Sequence, residues 1–162
     1  VDVPDEIRLD YDAKVLATGG LFITFIASQG RLGEDMITDL PKREGVFPDY
    51  IENDRLRSYH ISLSRYNDKG RHTGVSNWRR NPGLFMIGQQ DDPCREPNRW
   101  YRISIIKRGP LLQLGVDGKF VGGFVDREEI PEPIPSGGNI GFRTIGSKVF
   151  LQIKNLKVTA IK

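Results

Sequence analysis

The sequence predicts an all-β domain, an antiparallel two-sheet sandwich or jelly roll, with a closed barrel as the lesser alternative. Three observations predict it. Apolar and polar residues alternate with period two in run after run, whereas the 3.6-residue helical period is almost absent. The runs are punctuated by Gly, Pro, Asn and Asp. The chain has 162 residues, enough for one domain to bury a core without disulfide staples.

The runs follow in order. "IRLDYDAKV" sets Ile7, Leu9, Tyr11, Ala13 and Val15 on one face and Arg8, Asp10, Asp12 and Lys14 on the other. After a turn at "ATGG", "GGLFITFIAS" is apolar at nearly every residue and reads as an interior strand covered on both faces. From Gly30 to Arg57 regularity is lost, and a loop of that length within a compact β domain is functional or disordered. "SYHISLSRY" turns Ile61 and Leu63 one way and His60, Ser62, Ser64 and Tyr66 the other. "GLFMIGQQ", "WYRISIIKRG", "LLQLGVDGKFVGGFVD", "GNIGFRTIG" and "KVFLQIKNLKVTAI" complete the set.

Within the third of these, Asp117-Gly118 marks a hairpin, because a type I′ turn needs positive φ at both central residues. The first and last runs share one alternation and are expected to pair, protecting two sheet edges. The expected core is Leu9, Tyr11, Phe22, Ile23, Phe25, Ile61, Leu63, Phe85, Ile87, Ile103, Ile105, Leu114, Ile140, Phe142, Leu151 and Ile153. No internal repeat or low-complexity segment interrupts the pattern.

Composition excludes several classes. A net charge of +3, with 24 Lys and Arg scattered among 21 acids, lacks the concentrated basic face of a nucleic-acid binder. No apolar run reaches the length of a membrane span or signal segment, so a soluble chain is expected, its front trimmed since no Met begins it. The single Cys94 excludes an internal disulfide and leaves the compartment, cytoplasm or cell exterior, open. His60 and His72 have no Cys or acid at ligand spacing, so no catalytic metal is expected. A structural Ca2+ would draw its oxygens from "GED" or "QQDDP", neither an EF-hand pattern. There is no G-x-S-x-G elbow and no phosphate-cradling loop.

The closing cadence "RWYRISIIKRGPLLQLGVDGKFVGGFVD" followed by "GGNIGFRTIGSKVFLQIKNLKVTAI" resembles that of concanavalin-A-like lectin/glucanase jelly rolls. The middle is more specific. "GEDMITDLPKREGVFPDYI", "YHISLSRY" and "SNWRRNPGLFMIGQQDDP" resemble the YesU-like family, bacterial jelly rolls associated with polysaccharide degradation. That family's G-x-D-I, R-x-G-x-Y, Y-H-x-S-Y-x-R, N-L-R-K-x-P-G and Q-G-x-D-P segments fall on residues 33–37, 43–50, 59–65, 77–83 and 89–93. Leu63 stands where an aromatic is usual, Trp78 where Leu is usual, and Thr144-Ile145 replaces a Gln-Met pair. A segment carrying a Trp and a His at the N-terminus of fuller members is absent, so the single domain over 1–162 is expected to lack one strand. The resemblance implies a concave sheet facing an oligo- or polysaccharide.

The residues narrow the chemistry. The paired carboxylates of a glucanase, typically E-x-D-x-x-E, are missing, and Asp10 and Asp12 read as a solvated charged face. A lyase acting on uronates needs donors to neutralise a carboxylate and a group to carry a proton. Here His60, Arg79 and Gln89 are the candidate catalytic set, His60 being the proton carrier if there is catalysis. Ser62, Arg65, Asn77, Trp78 and Arg143 are candidate substrate contacts, bordered by Asp35, Arg43 and Tyr50 of the long loop. Each has a plainer reading: His60 as a hydrogen-bonded strand histidine, Arg79-Arg80 as a surface pair at the Asn81-Pro82-Gly83 turn, Arg143 as the partner of an acid such as Asp126, and Trp78 and Trp100 as core rather than sugar platforms. The expected function is binding, with or without lyase or hydrolase cleavage, of an acidic or rhamnose/uronate-containing glycan. The alternative is a non-catalytic glycan-binding or accessory module.

Overall fold

The computed structural model describes residues 3–52, 55–127 and 133–161. Among these residues ten strands form: β1 (Ile7–Val15), β2 (Leu21–Gly30), β3 (Leu56–Leu63), β4 (Val75–Asn81), β5 (Phe85–Asp91), β6 (Tyr101–Arg108), β7 (Leu111–Val116), β8 (Lys119–Val125), β9 (Asn139–Ile145) and β10 (Leu151–Ala160). One helical turn, α1 (Pro48–Ile51), lies in the loop between β2 and β3. Among the described residues no helix is long and apolar enough to cross a membrane.

The strands make two antiparallel five-stranded sheets, a back sheet in the order β10-β1-β6-β7-β8 and a front sheet in the order β5-β4-β3-β2-β9. The expected sandwich is therefore the observed one. β1 pairs with β10 from Ile7 opposite Ala160 to Val15 opposite Leu151, as their shared alternation requires. The β7–β8 hairpin turns at Asp117 and Gly118, whose φ values of 51° and 76° are those a type I′ turn demands.

The core fills the space between sheets. From the back sheet come Leu9, Tyr11, Ile103, Ile105, Leu112 and Leu114; from the front sheet come Phe22, Ile26, Tyr59, Ile61, Leu63 and Trp78. Ile87, Ile140, Phe142, Leu151 and Ile153 are half-buried at its margins. Phe85 is a correction to the expected core, since it is 43% exposed at the start of the edge strand β5, where a register shift against β4 breaks the alternation. Ile23 and Phe25 are buried on the far side of β2 rather than between the sheets, and Tyr50 of the long loop packs on Phe25. The double cover on β2 explains its continuous apolar run: positions 22–28 are all buried.

Candidate functional site

Strand register builds the front face in two rows. One runs Gln89, Asn77, Ser62, Ile23, Arg143 across β5, β4, β3, β2 and β9; the next runs Met86, Arg79, His60, Phe25, Gly141. His60 and Arg79 are thus direct cross-strand neighbours on the same face, two strands from Gly141. Because side chains alternate, Trp78 and Arg80 must point to the other face. Trp78 is fully buried in the core, which corrects its expectation as a substrate contact. Trp100 is no sugar platform of this face either: on the opposite sheet's side, the ammonium groups of Lys14 and Lys154 lie 4.8 and 4.1 Å from its ring.

At the end of β3 the phase changes. Ser64 takes φ of 52°, in the left-handed region, so the expected row His60-Ser62-Ser64-Tyr66 breaks there. Tyr66 is buried with its ring edge-on to His72 and its hydroxyl donating to the Arg95 carbonyl. Arg65 gains the place on the front face. Its Nη1 donates to the Val75 carbonyl at 3.1 Å and reaches Asn77, whose amide accepts from it at 3.1 Å in the orientation that satisfies both amide ends. On its other side the Asn77 amide meets Gln89 Nε2 at 2.9 Å.

Ser58, His60, Ser62 and Asn77 are all buried, so the polar face of β3 is not a wetted back. Arg65 and Arg79 are half-buried and Gln89 is exposed, so these three are what an approaching molecule would meet, with the buried groups as the floor. Asn81 Nδ2 donates to His60 Nδ1 at 3.0 Å and to Ser58 Oγ at 3.0 Å, which leaves the ring proton of a neutral His60 on Nε2. Phe25 packs against the imidazole with ring centres 5.4 Å apart. Burial, and then the charge of Arg79, bring the His60 pKa down to about 3. His60 therefore enters the site as a neutral hydrogen-bonding ring and a weak base.

The long loop closes over the β2–β9 side of this face. Tyr50, from α1, packs on Phe25 with centroids 6.0 Å apart, and its ring lies between two guanidinium groups, Arg143 at 5.2 Å and Arg43 at 5.6 Å. Arg143 donates to the Gly45 carbonyl at 2.8 Å and Arg43 to that of Met36 at 2.8 Å. Arg143 does not pair with Asp126, whose carboxylate instead accepts from Arg80 at 2.9 Å and Tyr59 at 2.6 Å between the sheets. Asp35 stands at the start of the loop, beside Asn139. It accepts from the Ile37 and Thr38 amides and from Asn139, bonds that hold the first loop turn and keep its carboxyl below the usual value.

No ion pair joins Arg43, Arg65, Arg79 or Arg143 to a described residue. Among the described residues, too, no three His, Cys, Asp or Glu side chains gather to hold a metal ion. The carboxylates considered for Ca2+ are engaged in the protein's own bonds: Glu34 with the Leu32 amide, Asp91 with Arg95, and Asp92 with His72 and the Arg65 and Cys94 amides. Sequence reasoning missed Asn81, which orients His60. Its place two residues beyond Arg79 on the same strand face was the available signal.

Relatives carry the same architecture. The protein described as "Uncharacterized protein YesU" of Bacillus subtilis (strain 168) is 29% identical over 146 residues, 86% of this chain and 66% of the relative, so the chain spans about two thirds of that protein's length. A crystal structure of a Bacillus subtilis protein of unknown function with galectin-like fold superposes with a TM-score of 0.88 over 99% of this chain and 74% of that one, at 24% identity. The carbohydrate-binding module CBM66 from Bacillus subtilis superposes with a TM-score of 0.61 over 96% of this chain and 76% of that one, at 11% identity. At such identities these two likenesses speak for the fold. Residues 1–158 match the family described as "Domain of unknown function (DUF1961)", and the chain belongs to that family.

Proposed function

We propose that the front face binds an acidic saccharide, a uronate-containing oligo- or polysaccharide, and acts as a glycan-binding surface. The carrying observation is that the guanidinium groups of Arg65 and Arg79, each within the field of the other, stand beside Asn77 and Gln89 with no described carboxylate bonded to either guanidinium. A guanidinium is a planar fork of donors matched to a carboxylate, and two that face one another without a counterion favour an anion between them. Asn77 and Gln89 add donors and acceptors for hydroxyls, and half-exposed Met86 gives apolar surface for a pyranose face. The carbohydrate-binding module among the structural neighbours supports carbohydrate binding in general.

Cleavage has less support than binding. A lyase needs a base near its working pH, and His60 is buried and neutral with Asn81 on its Nδ1. The test is calorimetric titration with oligogalacturonate and with an uncharged gluco-oligosaccharide of equal length. Binding is expected for the first, weakened about tenfold or more by Arg79→Ala or Arg65→Ala, as loss of a charge-assisted hydrogen bond implies. Equal affinity for both ligands, or variants that bind like the parent, would overturn the reading. A search for new unsaturated or reducing ends in the same mixtures separates binding from cleavage.

A further inference from the structure

Beside His60 the long loop roofs an apolar cleft of about 110 Å³, walled by Phe25, Met36, Tyr50, Leu56 and Phe142 and floored in part by Gly141. On its lining residues the hydroxyl of Ser28 and Nε of Arg143 are buried with no hydrogen-bond partner among the described residues. Ser28 is itself only 5% exposed, so its unmet hydroxyl marks a place where an acceptor or donor is wanted. Resting on the acidic-glycan reading, we infer that this cleft receives an acyl substituent of the glycan, an O-acetyl group, while Arg65 and Arg79 hold a uronate carboxylate.

The chemistry selects the group. The cleft's walls suit a methyl, whereas an unpartnered hydroxyl and a guanidinium Nε suit a carbonyl oxygen beside it. A bare sugar hydroxyl would leave the apolar walls unfilled, and a deoxy-sugar methyl would leave the donors unmet. Since a water needs only about 10–15 Å³ of such space, the cleft has room for the three heavy atoms of an acetyl group. The distance also suits one ligand. Arg79 and Phe25 flank His60 on adjacent strands, so carboxylate site and cleft are separated by two strand spacings, about 10 Å, the span of one to two sugar rings.

Gly141 supplies the decisive variant. A Cβ built there meets only the Phe25 Cβ, at 3.9 Å, so Gly141→Val puts methyl groups into the cleft without striking the backbone. Titration compares plain oligogalacturonate with the same oligomer after partial O-acetylation, which leaves the carboxylates intact. The parent protein is expected to bind the acetylated form about tenfold more tightly, the worth of one buried methyl and one neutral hydrogen bond. Gly141→Val should bind both forms as the parent binds the plain one, and Ser28→Ala, which cannot fill the cleft, should lose part of the gain. Plain oligomer bound in an Arg79-dependent way with no gain on acetylation, or a gain that survives in folded Gly141→Val, would overturn the acyl pocket alone. Failure of both oligomers to bind would overturn the acidic-glycan reading and the pocket with it.

Discussion

On the back sheet and along its rims, Arg102 pairs with Asp12, Arg108 with Glu6, Arg99 with Asp117 and Lys107 with Asp5, whereas on the front sheet the guanidinium groups of Arg65, Arg79 and Arg143 donate, among the described residues, to carbonyl and amide oxygens and to no carboxylate. The sharpest form of the contrast lies in two consecutive residues. Arg80 points between the sheets and meets Asp126 at 2.9 Å, both side chains almost wholly buried; Arg79 points outward next to His60 and meets no acid among the described residues. A buried charge without a counterion is costly, so Arg80 must have Asp126. Arg79 keeps enough contact with solvent to stand without an acid, and beyond the bond to the Leu84 carbonyl its remaining donors are open to a ligand. The difference separates a cation that serves the fold from cations that serve a surface.

The largest expected effect comes from breaking the structural pair. Asp126→Ala strands the Arg80 guanidinium and removes the acceptor of the Tyr59 hydroxyl, and should cost about 3–5 kcal/mol in urea unfolding. Arg80→Met combined with Asp126→Leu should cost less than Asp126→Ala alone, since no charge then remains to be desolvated. A loss below about 1 kcal/mol in Asp126→Ala, the range of an exposed pair, would erase the contrast.

The next effect belongs to His60. Its folded pKa near 3 lies below the ordinary value of 6.5, so between those values the unfolded chain binds the proton that the folded chain refuses. Stability from this group is therefore complete above pH 6.5 and lost as pH falls towards 3. From pH 7 to pH 5 the loss should be about 2 kcal/mol, read as the parent's extra decline over His60→Gln. The subtraction matters because buried Asp92, its pKa raised chiefly by burial, contributes in the opposite sense. Parallel curves for parent and variant would mean that His60 is protonated in the folded protein.

How far the sequence foretold these regions follows from what sets each. Asp117-Gly118, the β1–β10 pairing and the doubly covered β2 were legible because turn chemistry and period-two alternation are local. The His60, Asn77, Arg79, Gln89 cluster was legible once the polar face of β3 was taken with the next two runs. Trp78 was misread because β4, "VSNWRRN", is polar on both faces, and Arg80's reason for facing inward is an acid 46 residues away. Tyr66 was misplaced by one backbone angle at Ser64, which no alternation rule carries. The roof that Tyr50 makes over Phe25 depends on how an irregular loop settles; the loop's length and the 43–50 segment pointed to Tyr50, but not to the ring it covers.

The smallest effect tests the other half of the contrast. Arg79→Met removes one donor to the Leu84 carbonyl and at the same time relieves the repulsion that Arg79 exerts on Arg65. A hydrogen bond to a neutral acceptor contributes about 1 kcal/mol, and a half-solvated like-charge contact costs a similar amount, so stability should change by less than about 0.5 kcal/mol. The electrostatics should nevertheless respond. Arg79 is the charge that, after burial, holds His60 neutral, so its removal should raise the His60 pKa while leaving it below 6.5, measurable by NMR titration of the imidazole. A stability loss of several kcal/mol in Arg79→Met would place Arg79 with Arg80 among the cations that hold the fold. An unmoved His60 pKa would deny that the two residues share one field. A near-neutral substitution that shifts His60 upward is the signature of a cation kept on the front face for something other than the fold.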